Sequence, residues 1–296
     1  MERIFIPGSQ WLFFRLYTGT QSADVLLAEQ IGPLVKRLQK SGAIDDFFFI
    51  RYTDPLFHLR LRLHIPDTTR YDEVFHAAYE TLQPCIESKL LTSVACDTYV
   101  REVERYGGKA IEATERLFGC DSICIIRILE LLRQQERFGI YPSEEIRWQL
   151  GLLLNDDLLD AFGLSLTDKN ELVAEAAKGY KAEFGFTAYR TTKQINDKYR
   201  TLRNDLRHVM TTGLREEFPY EILEERKRQI EGLADTIKTI VPDGEFQDYL
   251  RSLIHMTMNR LFRSQNRLCE MMVLEYLNRE YSRTLAIKKK YIYGEG

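Results

Sequence analysis

Phe47–Tyr52 (FFFIRY), Thr53–Pro55 (TDP) and Leu56–His64 (LFHLRLRLH) read as two strands joined by a tight turn. Proline presets φ and aspartate bonds its own backbone, so Thr53-Asp54-Pro55 carries the turn chemistry. The second strand alternates without a fault. Phe57, Leu59, Leu61 and Leu63 point one way, and His58, Arg60, Arg62 and His64 the other. Same-face neighbours in a strand lie only about 7 Å apart, and a guanidinium cannot shed its charge near neutrality. The bland reading is a solvated charged face. Against it, no acidic residue lies between Phe57 and His64 to neutralise the row, so an anion is expected over that face.

Working outward, Trp11–Tyr17 (WLFFRLY) is an aromatic, β-prone segment, and Ser22 to Lys40 has helical apolar spacing ended by Ser41-Gly42. After the break at Pro66-Asp67-Thr68, a helix is predicted from Tyr71 to Leu90, kinked or divided at Pro84, followed by a weaker strand from Thr92 to Tyr99. The order β-α-β-β-α-β is that of the ferredoxin-like split motif. Its helices cover one sheet face. The leucine side is therefore expected under helices, with His58, Arg60, Arg62 and His64 on an open face.

The segment YVREVERYGG, Tyr99–Gly108, adds Arg101 and Arg105 beside Glu102 and Glu104, and its paired glycines mark a boundary. Residues 1–107 are read as an α/β sheet subdomain and 108–296 as a helical one, giving an α+β fold. Helices are expected over Ile111–Phe138 with a possible break at Gly119-Cys120-Asp121, from Tyr141-Pro142 into Ile146–Phe162, and from a Thr167-Asp168 cap through Tyr180. Others cover Glu221–Ile240, Phe246–Phe262 and Asn266–Tyr281, with a frayed tail at Lys288–Tyr291. In the penultimate helix Arg251, His255 and Asn259 share one stripe. A histidine there is more often structural, but Asn259 or a carbonyl would fix its tautomer and a nearby cation would keep it basic at neutral pH.

The chain has 296 residues, 44% hydrophobic and 29% charged, with a formal charge of −3. That suits a soluble protein with a real core and gives no overall pull toward nucleic acid or anionic lipid. No apolar run approaches the ~20 residues of a membrane span, and MERIFIPGSQ is not a secretory signal. Five cysteines without framework spacing point to reduced thiols in a cytoplasm; Cys120 and Cys124 have no second pair to complete a metal site.

WLFFRLY, FFFIRYTDPLFHLRLR, YVREVERYGG and IHMTMNRL, in that order across the chain, resemble the C-terminal domain of class I lantibiotic dehydratases, found also as stand-alone thiopeptide-type bacteriocin biosynthesis proteins. The length is that expected of the stand-alone form, and the resemblance is weakest between Gly139 and Asp243. It implies that a separate glutamyl-tRNA-dependent protein glutamylates Ser/Thr of a ribosomal precursor peptide. The present domain would then eliminate glutamate to leave dehydroalanine or dehydrobutyrine. Matched by motif, Arg60, Arg62 and His255 are the expected catalytic residues. Arg105, with Arg101 as the second candidate, is expected on the substrate, together with His58 and Asn259. No metal or organic cofactor is required: elimination needs a base near neutrality and fixed cations for the enolate and the departing carboxylate.

Two other readings remain. A formal [4+2] cycloaddition of two dehydroalanines, which builds the pyridine core of thiopeptides, is known among stand-alone members and needs shape and polarisation more than a base. A non-catalytic subunit could dock an acidic leader peptide on the basic strand. An RNA-binding module fits less well, because the chain lacks positive charge and a pair of stacking-aromatic motifs.

Overall fold

Alternation at period two and helical spacing divide the chain into an N-terminal α/β part and a helical remainder. The computed structural model describes residues 2–139, 144–186, 189–212 and 220–293. The first part runs β1 (Ile4–Phe5), β2 (Trp11–Tyr17), α1 (Ser22–Leu26), a π-helical turn (Leu27–Ile31), α2 (Gly32–Lys40), β3 (Asp46–Thr53), β4 (Phe57–His64), α3 (Tyr71–Glu87), β5 (Ser93–Asp97) and β6 (Tyr99–Val100). Then come α4 (Ile111–Arg137), α5 (Glu144–Ala161), α6 (Leu166–Glu183), α7 (Tyr189–Thr212), α8 (Glu221–Ile240), α9 (Asp243–Leu261) and α10 (Asn266–Tyr293). The fold is α+β. The expected helix start at Tyr141–Ser143 lies outside the described residues. Among the described residues, no helix is long and apolar enough to cross a membrane.

β4 is an inner strand of an antiparallel four-stranded sheet of order β3-β4-β2-β5. Register places Phe13 and Phe48 beside Arg62, Arg15 and Ile50 beside Arg60, and Tyr17 and Tyr52 beside His58. Leu59, Leu61 and Leu63 are at most 1% exposed, and α3 lies on their side, the Phe75 ring 5.9 Å from Phe14. A second, two-stranded sheet of β1 and β6 replaces the end of the strand expected to reach Tyr99.

The arginine face is not open, which corrects the expectation. His58 is 0% and Arg62 6% exposed. The cause lies in α4 and α9, which close over the β3 side of the sheet. The Phe118 ring sits 5.5 Å from Phe48, and the unpaired backbone edge of β3 is satisfied by side chains. Phe49 N–H donates to Ser122 Oγ (3.2 Å) and Arg51 N–H to Asn259 Oδ1 (2.9 Å). In return, Asn259 Nδ2 donates to the Arg51 carbonyl (2.8 Å) and Arg260 Nε to the Phe49 carbonyl (2.9 Å). An edge strand left bare would be a pairing hazard; here it anchors the helix that carries His255. Arg260 and Arg226 also share the buried Asp121 carboxylate, locking α9, α8 and α4 together.

Four helix expectations change for local reasons. Gly119 does not break α4. A Cβ there would lie 2.1 Å from Asp46 Oδ1 and 3.0 Å from the Phe47 carbonyl, so this glycine lets the helix touch β3. Pro84 sits in the last turn of an unbroken α3. Pro33 comes just after the π turn, whose widened geometry accommodates a residue with no N–H to donate. α6 is capped by a Ser165/Asp168 box rather than by Thr167-Asp168. α10 continues past Tyr281 to Tyr293; from Ser282 to Lys290 its residues are half-buried or exposed, so apolar periodicity could not mark its end.

The α4 contact leaves a titration signature. Burial, with the Asp45 and Glu115 charges adding to it, pushes Asp46 up to about 7 against a Phe47 N–H bond that opposes it. A carboxyl whose folded pKa lies above its unfolded value near 3.9 loses stability as pH rises between the two. Stability is expected to fall by about 2 kcal/mol between mildly acid and mildly alkaline pH, and Asp46→Asn to flatten that slope. Urea unfolding at several pH values checks both.

Candidate active site

The sheet's arginine face, β6, the turn after it and α9 enclose a cleft of about 110 Å³. Arg60, Arg62, Arg105, His255 and Asn259 all line it, beside the aromatic rings of Phe48, Tyr52 and Tyr99. Strand alternation supplies the two β4 arginines. Arg105 is carried by the segment leading into the sharp turn at Gly107, which is in left-handed conformation (φ 74°) and pressed against Val241 and Tyr249.

Arg62 is the most costly residue of the cleft. Its guanidinium carbon lies 4.6 Å from the Phe13 and Tyr99 ring centroids and 5.0 Å from that of Phe48. Among the described residues no carboxylate lies within ion-pair distance, and Nε is buried without a hydrogen-bond partner. Burial pushes its pKa down to about 10. Ring faces recover part of the desolvation cost, but a buried charge lacking a counter-ion is an arrangement proteins avoid unless something else supplies one. Arg60 lies over the Tyr52 ring, its guanidinium carbon 3.4 Å from the centroid, and its Nε donates to His58 Nε2 at 3.3 Å. Arg105 sits at the mouth, half-exposed and loosely paired with Glu102.

His58, expected against substrate, is instead enclosed behind Arg60. Its Nδ1 faces the Leu56 carbonyl at 2.9 Å, and its ring lies between Tyr17 and Tyr52. Burial, aided by the Arg60 and Arg15 charges, holds its pKa below the ordinary value despite the Leu56 bond. The neutral ring can therefore accept from Arg60 and orient it. Arg101 also misses the cleft. It makes a bidentate pair with buried Glu115 (2.7 and 2.8 Å), which Tyr99 Oη also reaches at 2.6 Å. This pair ties β6 to α4. Of the two arginines open at the sequence level, the cleft takes Arg105.

His255 is positioned by a residue one turn further along α9, where the Asn259 amide pairs with the Arg51 backbone. The ring is a quarter exposed, and its Nδ1 meets Glu270 Oε2 at 2.8 Å. Since an ionised carboxylate can only accept, Nδ1 is the nitrogen that donates in this contact. The ring is thus held by Glu270 and not by Asn259. Arg251 is also accounted for elsewhere, pairing with Asp248 and Glu175. Glu270 had one signal in the sequence, as one of two acids, with Glu275, inside the otherwise apolar run Leu268–Leu277. Arg15 is a further cation on this face, opposite Arg60 but neutralised by Asp97.

The assembled site has three guanidiniums, two of which (Arg60 and Arg62) lack a carboxylate partner among the described residues, and one imidazole. It can bind carboxylates, stabilise an oxyanion and accept a proton in a partly dry space. Among the described residues, no three His, Cys, Asp or Glu side chains are grouped to hold a metal ion.

A sequence profile of the family described as "Lantibiotic biosynthesis dehydratase C-term" matches residues 11–281. The chain belongs to this family. Among relatives of this lantibiotic dehydratase C-terminal chain, the subtilin biosynthesis protein SpaB of Bacillus subtilis is 28% identical over 276 residues, covering 88% of this chain and 24% of SpaB. The chain therefore spans about a quarter of that relative's length. Two solved structures share the fold. The tRNA-dependent lantibiotic dehydratase MibB of Microbispora sp. 107891 has a TM-score of 0.67 at 24% identity over 95% of this chain and 29% of its own. The pyridine synthase TbtD, from thiomuracin biosynthesis, has a TM-score of 0.67 at 12% identity over 94% of this chain and 100% of its own. At such identities the likeness concerns the fold of the dehydratase C-terminal family.

Proposed function

We propose that the protein eliminates glutamate from glutamylated Ser/Thr of a ribosomally made precursor peptide, leaving dehydroalanine or dehydrobutyrine. Family membership supports the pathway, and the single observation that carries the chemistry is Arg62, a buried cation without a carboxylate partner among the described residues, in one cleft with His255. His255 Nε2 removes the α-proton, and the C–H electron pair passes to an enolate on the peptide carbonyl. That pair then forms the Cα–Cβ double bond as the Cβ–O bond breaks and the glutamyl carboxylate leaves with its electrons. Arg60 and Arg62 stabilise the enolate and the departing carboxylate, both richer in localised charge in the transition state than in the ester. Arg105 at the mouth takes the far carboxylate of the glutamyl group. Asn259 and His58 act through their neighbours, holding α9 and Arg60. A separate glutamyl-tRNA-dependent protein would supply the ester. We also read the βαββαβ segment, with its order β3-β4-β2-β5, as a ferredoxin-like unit to which β1 and β6 are additions.

Purified protein is to be incubated with glutamylated, dehydrated and unmodified forms of one precursor peptide and monitored by mass spectrometry. Elimination is expected on the glutamylated form alone, with free glutamate released. Conversion of the dehydrated form with loss of its leader segment would assign cycloaddition in its place. Binding without any mass change, weakening steeply with salt, would reduce the protein to a docking subunit.

A further inference from the structure

Most deeply buried carboxylates of this protein are held by permanent cations. Asp24 meets Arg51, Arg147 and Arg263; Asp121 meets Arg226 and Arg260; Glu115 meets Arg101; Glu275 meets Lys181 and Arg279. Glu270 differs. It is 2% exposed, and among the described residues its ion-pair partner is His255 Nδ1, with no lysine or arginine within that distance. A histidine is the weaker choice for neutralising a buried carboxylate, since it is largely uncharged at neutral pH. What it offers instead is a partner that can take up a proton. The pair also separates two spaces: His255 lines the cleft, while Glu270 lines a second cavity of about 540 Å³ with Tyr180, Arg251 and Arg267.

We propose that Glu270 is the positioning residue for His255, fixing the Nδ1–H tautomer, leaving Nε2 for the cleft and stabilising the imidazolium formed when the α-proton is taken. The proton moves from the substrate α-carbon to Nε2, and Glu270 stays ionised throughout. The charged and titratable groups around the pair include Arg60, Arg62, Glu102 and Arg105 on the cleft side and, around Glu270, Arg251, Arg267 and Tyr180, whose hydroxyl is hydrogen-bonded to Glu270. The chemical role rests on the elimination reading, but the tautomer does not.

Nitrogen-15 NMR of histidine-labelled protein reads the tautomer without any turnover. Wild-type His255 is expected protonated on Nδ1 and bare on Nε2 at mildly alkaline pH. In Glu270→Gln the preference for the Nδ1–H tautomer should weaken, and kcat should fall by roughly 10²–10⁴-fold with KM changed only a few-fold. Glu270→Asp should recover part of the rate. A wild-type ring protonated on Nε2, or a Glu270→Gln protein with unchanged His255 tautomer and rate, would overturn the assignment. Should Glu270→Gln fail to fold, the wild-type spectrum still decides. An Nδ1–H ring in a protein that eliminates nothing would sink the elimination reading and leave the positioning pair standing.

Discussion

Replacing Arg62 by methionine is expected to stop elimination while making the protein harder to unfold. In the wild type this guanidinium is buried among Phe13, Phe48 and Tyr99 with no carboxylate partner among the described residues, and its pKa is pushed down to about 10. A cation whose folded pKa lies below its unfolded value near 12.5 opposes folding at every pH where it is charged in both states. The cost here is roughly 3 kcal/mol. Methionine fills similar space without the charge, so the unfolding midpoint should rise by about 2–4 °C per kcal/mol recovered. Elimination should fall by roughly 10²–10³-fold or more, as when a fixed donor to a developing oxyanion is removed, with glutamylated peptide accumulating. Loss of activity together with gain of stability is the mark of a charge kept for substrate. A less stable Arg62→Met protein would mean that the cation serves the fold.

His255→Ala is the second large effect. The variant should accumulate glutamylated peptide with elimination lowered by roughly 10²–10⁴-fold, the usual contribution of a positioned base. Added imidazole should restore part of the rate, because the cleft keeps its arginines and gains the space the ring occupied. Removing the ring also strips buried Glu270 of its ion-pair partner, so the variant should be less stable than wild type. Turnover equal to wild type would remove His255 from the mechanism.

Much of this was legible in the sequence because strand and helix periodicity are local. Perfect alternation from Phe57 to His64 gives β4 and the side each residue occupies, and charged amphipathic spacing gives α8 to the residue. What the pattern could not convey is what packs on a face from a distance. His58 and Arg62 alternate with leucines like any surface row, yet aromatic residues of three other strands enclose them. Arg101 and Arg105 are equivalent as letters, and only the position of Glu115 on α4 decides that Arg101 belongs to the fold. Asn259 looked like a partner for its helix neighbour; the bare edge of β3, two hundred residues earlier in the chain, claims its amide. Glu270 lies on another helix and carries a periodic signal only as a carboxylate where an apolar residue is expected.

The most direct test is a structure of the protein with a precursor peptide whose glutamyl ester is replaced by an unreactive amide. The glutamyl group should lie in the cleft, with a carboxylate or the scissile carbonyl in hydrogen-bond reach of Arg62 and the residue's α-carbon facing His255 Nε2. A glutamyl group bound elsewhere, with Arg62 still lacking an anion and His255 Nε2 facing no substrate atom, would contradict the proposed site.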